Sequence, residues 1–351
     1  METLDRFTGC MLGGASGDAL GYLIEFDDLH TIRRKYGPYG LRTILKSKVN
    51  GNQGLISDDT QMSLFTADGL LWAAQAGLEP QEGVFRSYMR WYYTQTERIV
   101  SPEQMAWMKR QEHEIQWSYD LMGIQSLYAR RAPGKTCLMT LATGRRFTET
   151  NLPNARCGSS AVMRVAPVGL FFSGDWERAF AVGAQTACLT HGDLTARLAA
   201  GALSLLIAQL SSGAALAPSL ESMMQVVKRQ KGSEALLAVL DKAFVEAASE
   251  HGAVQAMKEI GTGNTAREVL ALAIYCILKA DSLKNAVIMA CNQDGASDSC
   301  GAVCGNIGGA LYGATAVPKN WSNNLECRGI VEQLGDCLYQ YGRGGKKSNA
   351  S

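Results

Sequence analysis

Apolar residues recur at spacings of three and four along most of the chain. The stretches TQMSLFTADGLLWAAQAG (60–77), SPEQMAWMKRQEHEIQWSYDLM (101–122), LTARLAAGALSLLIAQL (194–210), SEALLAVLDKAFVEAASE (233–250) and AREVLALAIYCILKA (266–280) each gather them on one helical face. Long runs of strict alternation are missing, so the pattern predicts an all-α fold. Breakers separate the helices at Gly37-Pro38, Gly51 to Gly54, Pro133-Gly134, Pro153 and Gly261 to Gly263. The reading is one compact multi-helix domain over 1–342, with functional loops between helices and a disordered tail, RGGKKSNAS, at 343–351.

Two helical stretches, GCMLGGASGDALG (9–21) and CGAVCGNIGGALYG (300–313), are rich in glycine. Glycine inside a helix costs about 1 kcal/mol relative to alanine, so its repeated use needs a packing reason. Close approach of two backbones supplies one. These helices, from opposite ends of the chain, are expected to cross at the centre and to bring Asp18 near Asp298.

Composition narrows the picture only a little. A chain of 351 residues can bury a substantial core as one large domain or two. Its net charge of +1, with 19% charged residues, gives no general nucleic-acid-binding surface. The ten cysteines lie mostly in apolar stretches and form no CxxC pair, which favours reduced thiols over a disulfide framework or a zinc site. The N-terminus lacks a basic segment leading into a long apolar run, and no stretch reads as a membrane span. The expectation is a soluble, cytoplasmic protein with no membrane or nucleic-acid partner.

The chemistry concentrates in two acidic helix starts. In ISDDTQMSLFTADGL (56–70), Ser57, Asp58, Asp59 and Thr60 open a helix; in NQDGASDSCGAVCGNIGGALYG (292–313), Asp294, Ser297, Asp298 and Ser299 open another. Helix capping and the helix dipole explain some of these residues. Adjacent carboxylates nevertheless repel one another unless protons or a cation offset the charge. Carboxylates with hydroxyls are hard ligands, suited to magnesium, calcium or manganese. A third acidic position, Glu25 in GDALGYLIEFDD, is either an ordinary surface glutamate or a member of the same site.

Together these clusters make the chain similar to the ADP-ribosylglycohydrolase family, which includes the dinitrogenase reductase-activating glycohydrolase and the ADP-ribosyl-acceptor hydrolases. The resemblance rests on GCMLGGASGDALGYLIEF, SDDTQMSLFTADGL, ARRAPGKTCLMTL (129–141), AVMRVAPVGLFF (161–172) and SDSCGAVCGNIGGALYG, in family order over nearly the whole chain. It implies an all-α fold that holds two Mg2+ or Mn2+ ions and cleaves ADP-ribose from protein side chains. By position, the metal ligands would be Ser57, Asp58, Asp59, Asp298 and Ser299. Glu25, Asp58 and Asp298 would be the catalytic group. The loop NARCGSSAVMR (154–164), with Cys157, Gly158 and Ser159, would contact ADP-ribose, as would His191 in CLTHGD; the plainer readings are an interhelical turn and a buried structural histidine. Asp193 departs from the commoner second histidine of that motif.

A further departure bears directly on chemistry. Where the family has Gly-Asp-Ser-Asp-Ser, this chain reads Gly295-Ala296-Ser297-Asp298-Ser299, so the first metal-binding aspartate is alanine. Ala296 is either a deliberate inactivating substitution, favoured by the intact remainder of the site, or the mark of a natural pseudoenzyme. The implied partner is an ADP-ribosylated protein, modified most plausibly on arginine. The alternatives are a non-catalytic immunity protein that occludes an ADP-ribosyltransferase toxin, or an ADP-ribose sensor.

Overall fold

The computed structural model describes residues 3–48, 51, 53–96 and 102–343. Residues 344–351 of the expected tail lie outside the described residues, while Arg343 belongs to the last helix rather than to a tail. The helices that matter for the site are α1 (Thr3–Gly21), α2 (Asp58–Ala76), α3 (Pro80–Thr96), α4 (Trp176–Cys188), α5 (Leu194–Ser211), α6 (Glu234–Ala248), α7 (Ala266–Lys279), α8 (Leu283–Cys291), α9 (Ser297–Tyr312) and α10 (Arg328–Arg343). Among the described residues the only β pairings are isolated bridges. The all-α expectation therefore holds.

The centre is the antiparallel pair α1 and α9, as the glycine content predicts. Gly9, Gly13, Gly17 and Gly21 fall one helical turn apart on α1 and meet Gly309, Gly305, Gly301 and Ser297 in turn. A Cβ on Gly13 would sit 2.2 Å from the Gly305 carbonyl oxygen, and one on Gly17 2.0 Å from that of Gly301. No side chain fits there. Because the helices run in opposite directions, the C-terminal end of α1 lies beside the N-terminal end of α9. That placement brings Asp18 and Asp298 to one end of the crossing.

Other helices pack around this pair. α10 lies along α1, while α7 and α8 flank α9 and α6 backs α7. α2 pairs with α3 and α4 with α5. One continuous apolar core, including Phe7, Leu20, Phe65, Trp91, Leu206, Ile307 and Trp321, joins them. α2 starts at Ser57, whose Oγ accepts from Asp59 N at 3.2 Å, and stops at Gly77, whose φ of 66° suits glycine.

Two expectations are corrected. The continuous helix read over 101–122 is broken into Pro102–Met108 and Glu112–Gln116, followed by 3-10 turns. The reason lies in Glu114, whose buried carboxylate accepts from Gln111 N at 2.8 Å and binds Arg90. A new helix start is thereby set where the pattern suggested an interior. Secondly, α5 reaches 18 residues at a mean hydropathy of 1.4, enough in length and composition for a membrane span. It is instead largely enclosed by α4, α7 and the helix Ala166–Phe171.

Candidate functional site

Asp18 is the hub of the acidic end. Its carboxylate accepts from Ser57 N at 2.9 Å, from Thr60 N at 3.1 Å and from Thr60 Oγ1 at 2.5 Å, so a residue of α1 caps the start of α2. That anchorage fixes the next two carboxylates. Asp58 Oδ2 accepts from Gly134 N at 3.0 Å, and Asp59 hydrogen-bonds Ser299 at the start of α9. Asp298 accepts from Ser299 N at 2.7 Å. Glu25, at the end of the 3-10 turn Tyr22–Ile24, hydrogen-bonds Asp298 and leaves its Oε2 without a partner. The structure thus gathers Glu25, Ser57, Asp58, Asp59, Asp298 and Ser299 into one cluster, although the two helix starts are far apart in sequence.

The cluster is charged and dry. Asp18, Asp58, Asp59 and Asp298 are each at most 4% exposed, and among the described residues none forms an ion pair with lysine or arginine. Burial first, and repulsion from neighbouring carboxylates second, raises the pKa of Asp58 and Asp59 well above the ordinary range. The same causes take Asp298 to about 7 and Glu25 to about 9. A divalent cation would remove both penalties. Asp59 Oδ2 and Glu25 Oε2 are buried oxygens with no donor, and the hard-oxygen composition fits a divalent cation such as magnesium, calcium or manganese.

A pH dependence follows. Groups whose folded-state pKa lies above the unfolded value contribute stability below the unfolded pKa, and that contribution is lost as pH rises through the folded pKa. In chelator, the melting temperature should therefore fall between about pH 4 and pH 9, through about 7 for Asp298 and about 9 for Glu25. Saturating magnesium should flatten that fall by stabilising the ionised cluster. A melting temperature that rises over this interval in chelator, or shows the same slope with magnesium, would refute this account.

Ala296 occupies the position at which the resemblance led to the expectation of an aspartate. Ala296 precedes α9 as its N-cap with no side-chain hydrogen bond, and Ser297 Oγ turns back to Gly295 O at 3.2 Å. Asp294 does not join the cluster. Its Oδ1 accepts from Leu29 N at 2.7 Å and its Oδ2 lies 3.7 Å from Lys258, away from the cluster.

The expected ligand loop sits beside this cluster. Cys157 O accepts from Ala266 N at 2.9 Å, Gly158 bridges to Thr265, and Ser159–Ala161 form a 3-10 turn. Ser160 packs on Gly134, the residue that binds Asp58. His191 borders Gly158, where a Cβ would lie 3.5 Å from its Nε2. The ring is buried, and its Nδ1 is 2.8 Å from Thr190 Oγ1. Asp193, in place of a second histidine, is the N-cap of α5 and accepts from Ala196 N at 3.1 Å.

Sequence reasoning missed several supports. Arg131 binds Glu326 and donates to Ile56 O, and Glu326 accepts from Ile56 N, so this pair clamps the segment leading into Ser57. Arg131 lies in the quoted ARRAPG stretch, but nothing local marks Glu326. Asp68, His113 and Glu114 also bring possible ligand atoms within 4.8 Å of one another. There the cation is already present: Arg90 reaches Asp68 at 3.1 Å and Glu114 at 2.8 Å. Ser87, Tyr119 and His113 complete the Asp68 shell. Of these two clusters, the one at α1, α2 and α9 has no lysine or arginine ion pair among the described residues.

A family model described as ADP-ribosylglycohydrolase matches residues 1–347. The ADP-ribosylarginine hydrolase Tri1 of Serratia proteamaculans is 23% identical over 96% of this chain and 80% of its own. The ADP-ribosyl-[dinitrogen reductase] glycohydrolase of Rhodospirillum rubrum is 23% identical over 92% and 91%. A solved structure titled "ADP-ribosylglycohydrolase-related protein complex" superposes with a TM-score of 0.68 at 25% identity, covering 97% of this chain and 99% of the other.

Proposed function

The chain belongs to the ADP-ribosylglycohydrolase family, and on that premise we propose that it is the scaffold of a magnesium-dependent hydrolase that removes ADP-ribose from modified protein side chains, arginine foremost. The buried carboxylate cluster, which no lysine or arginine pairs among the described residues, carries this reading, because it is costly in any protein that does not neutralise it. Arginine is favoured by similarity to a relative named for that linkage.

Ser57, Asp58, Asp59, Asp298 and Ser299 would hold the metal. When bound, divalent cations supply charge neutralisation and polarise water and ribose hydroxyls. The protein's own groups do the rest. Gly134 N–H orients Asp58, Asp18 fixes the start of α2 on which Asp58 and Asp59 stand, and the Cys157–Ser160 turn offers backbone and hydroxyl groups to the pyrophosphate. Glu25 stands at the edge of the cluster, hydrogen-bonded to Asp298. As water adds to the anomeric carbon and the bond to the side-chain nitrogen breaks, Glu25 can take the proton that the water gives up and pass it to the departing nitrogen.

Ala296 favours a second reading of this particular chain, in which ADP-ribose binding persists while cleavage is impaired. Such a protein would sequester ADP-ribosylated targets or block a transferase toxin. Release of ADP-ribose from a panel of arginine- and serine-modified proteins by the Ala296→Asp form separates the two; stoichiometric binding without release by that form would replace the hydrolase proposal. Within a turnover-competent Ala296→Asp background, Glu25→Gln should lower kcat about 100-fold while shifting the melting temperature little in saturating magnesium, where the repulsion within the cluster is offset. Unchanged kcat would remove Glu25 from the reaction.

A further inference from the structure

Arg164 is fully buried, yet among the described residues no carboxylate pairs with it. Its guanidinium lies over the Tyr88 ring at 4.8 Å and donates to Cys137 Sγ at 3.2 Å and to Thr190 Oγ1 at 2.6 Å. The Thr186 carbonyl and the Met62 sulfur, each at 3.5 Å, complete its partners, and a buried cation held by such weak acceptors with no carboxylate is expensive to keep. The hydroxyl it contacts is the one that contacts His191.

Donor and acceptor rules decide the protonation of that histidine. Arginine has no acceptor, so Thr190 Oγ1 must accept from Arg164. The Cys137 thiol, 3.9 Å away, is a second donor aimed at the same oxygen. With its lone pairs facing donors, the Thr190 hydroxyl has its own proton left to give, and His191 Nδ1 at 2.8 Å is placed to take it. Nδ1 is then an acceptor, and the ring proton resides on Nε2. The opposite tautomer would crowd a third donor onto Thr190 Oγ1. Burial and the Arg164 charge also push the His191 pKa down to about 3, which keeps the ring neutral.

We propose that Arg164 and Thr190 are positioning residues that lock His191 as a neutral Nε2–H donor facing Gly158, and that this donor binds an acceptor-only oxygen of the ligand, a phosphate oxygen of ADP-ribose. The ligand side of this inference rests on the proposed function; the tautomer does not. The 3.5 Å approach of Nε2 to the Cβ position of residue 158 sets this ring nitrogen against the turn proposed to hold pyrophosphate. A doubly charged imidazolium and guanidinium pair is avoided, so the site gains a directed donor without adding a second buried cation.

The test uses the protein as it stands. Nitrogen NMR of 15N-histidine-labelled protein should show His191 protonated at Nε2 and bare at Nδ1 through pH 6 to 8; the reverse tautomer, or an imidazolium in that range, overturns the relay without reference to any activity. Calorimetry with ADP-ribose should then show Thr190→Val binding about tenfold more weakly, the usual scale for losing a hydrogen bond to a charged group, with Thr190→Ser restoring affinity to within about twofold. Unchanged affinity in Thr190→Val, alongside an intact Nε2–H in the parent protein, would overturn the ligand role. No ADP-ribose binding by the parent protein would count against both that role and the proposed function. Should Thr190→Val fail to fold, Gly158→Ala, which puts a methyl group beside Nε2, should weaken binding by a similar factor while leaving the tautomer unchanged.

Discussion

Replacing Ala296 with aspartate should raise magnesium-dependent release of ADP-ribose by about 10 to 100-fold. Even partners that merely support a metal ligand alter affinity or activity on that scale, and in the proposed site residue 296 would be a ligand itself. The change also has two effects on stability, of opposite sign. As the N-cap of α9, Ala296 forms no side-chain cap, and aspartate at such a position is worth about 1 kcal/mol regardless of magnesium. Against this, another carboxylate beside Asp58, Asp59 and Asp298 deepens a repulsion that already raises their pKa values. The melting temperature of Ala296→Asp should therefore depend on magnesium more steeply than that of the parent. ADP-ribose affinity should change less than the rate, because the pyrophosphate contacts proposed for the Cys157–Ser160 turn do not involve residue 296. A magnesium-independent gain in stability with no gain in rate would mean that position 296 is only a cap.

Gly17→Ala should destabilise the fold by more than about 3 kcal/mol, above the usual range for overpacking. The sign is diagnostic. Helix propensity alone would favour alanine by about 1 kcal/mol in the middle of α1. Here the added Cβ would lie 2.0 Å from Gly301 O and 2.4 Å from Gly301 C, and neither backbone can yield without separating α1 from α9. Gly174→Ala is the control. That glycine has nothing within 4 Å of its Cβ position, so its substitution should be neutral or slightly stabilising. Urea denaturation of both proteins provides the comparison, and equal stabilities would end the crossing account. Since the same crossing sets Asp18 beside the start of α9, magnesium affinity should fall together with the stability of Gly17→Ala.

Local pattern was enough for the helices whose apolar faces repeat without interruption, such as α5 and α7, because burial along one face leaves a period that can be read from neighbours in the chain. The glycine helices were legible for a related reason: a residue that weakens a helix is retained repeatedly only where two backbones meet, and α1 and α9 meet there. The acidic helix starts were visible as compositional oddities. Their interpretation as one site came from resemblance to a family, and their convergence needed the antiparallel crossing of α1 and α9.

What the chain pattern could not supply depends on partners distant in sequence. The apolar spacing of 101–122 continues through Glu114, but a buried carboxylate must bind its guanidinium, and Arg90 lies on another helix. Arg131 and Glu326 are 195 positions apart and acquire meaning only as a pair. Asp294 looks as able as Asp298 to join the cluster, yet the loop path gives its carboxylate to Leu29 N instead. The same holds for His191, whose ring proton is set by a hydroxyl that answers in turn to a buried arginine from another segment. Periodicity is a one-dimensional record of burial, whereas hydrogen-bond and charge partners are chosen in three dimensions; the sequence by itself determined the helices with uninterrupted apolar faces and where acid accumulates, and the tertiary structure decided where a helix is broken and which of those acids face one another.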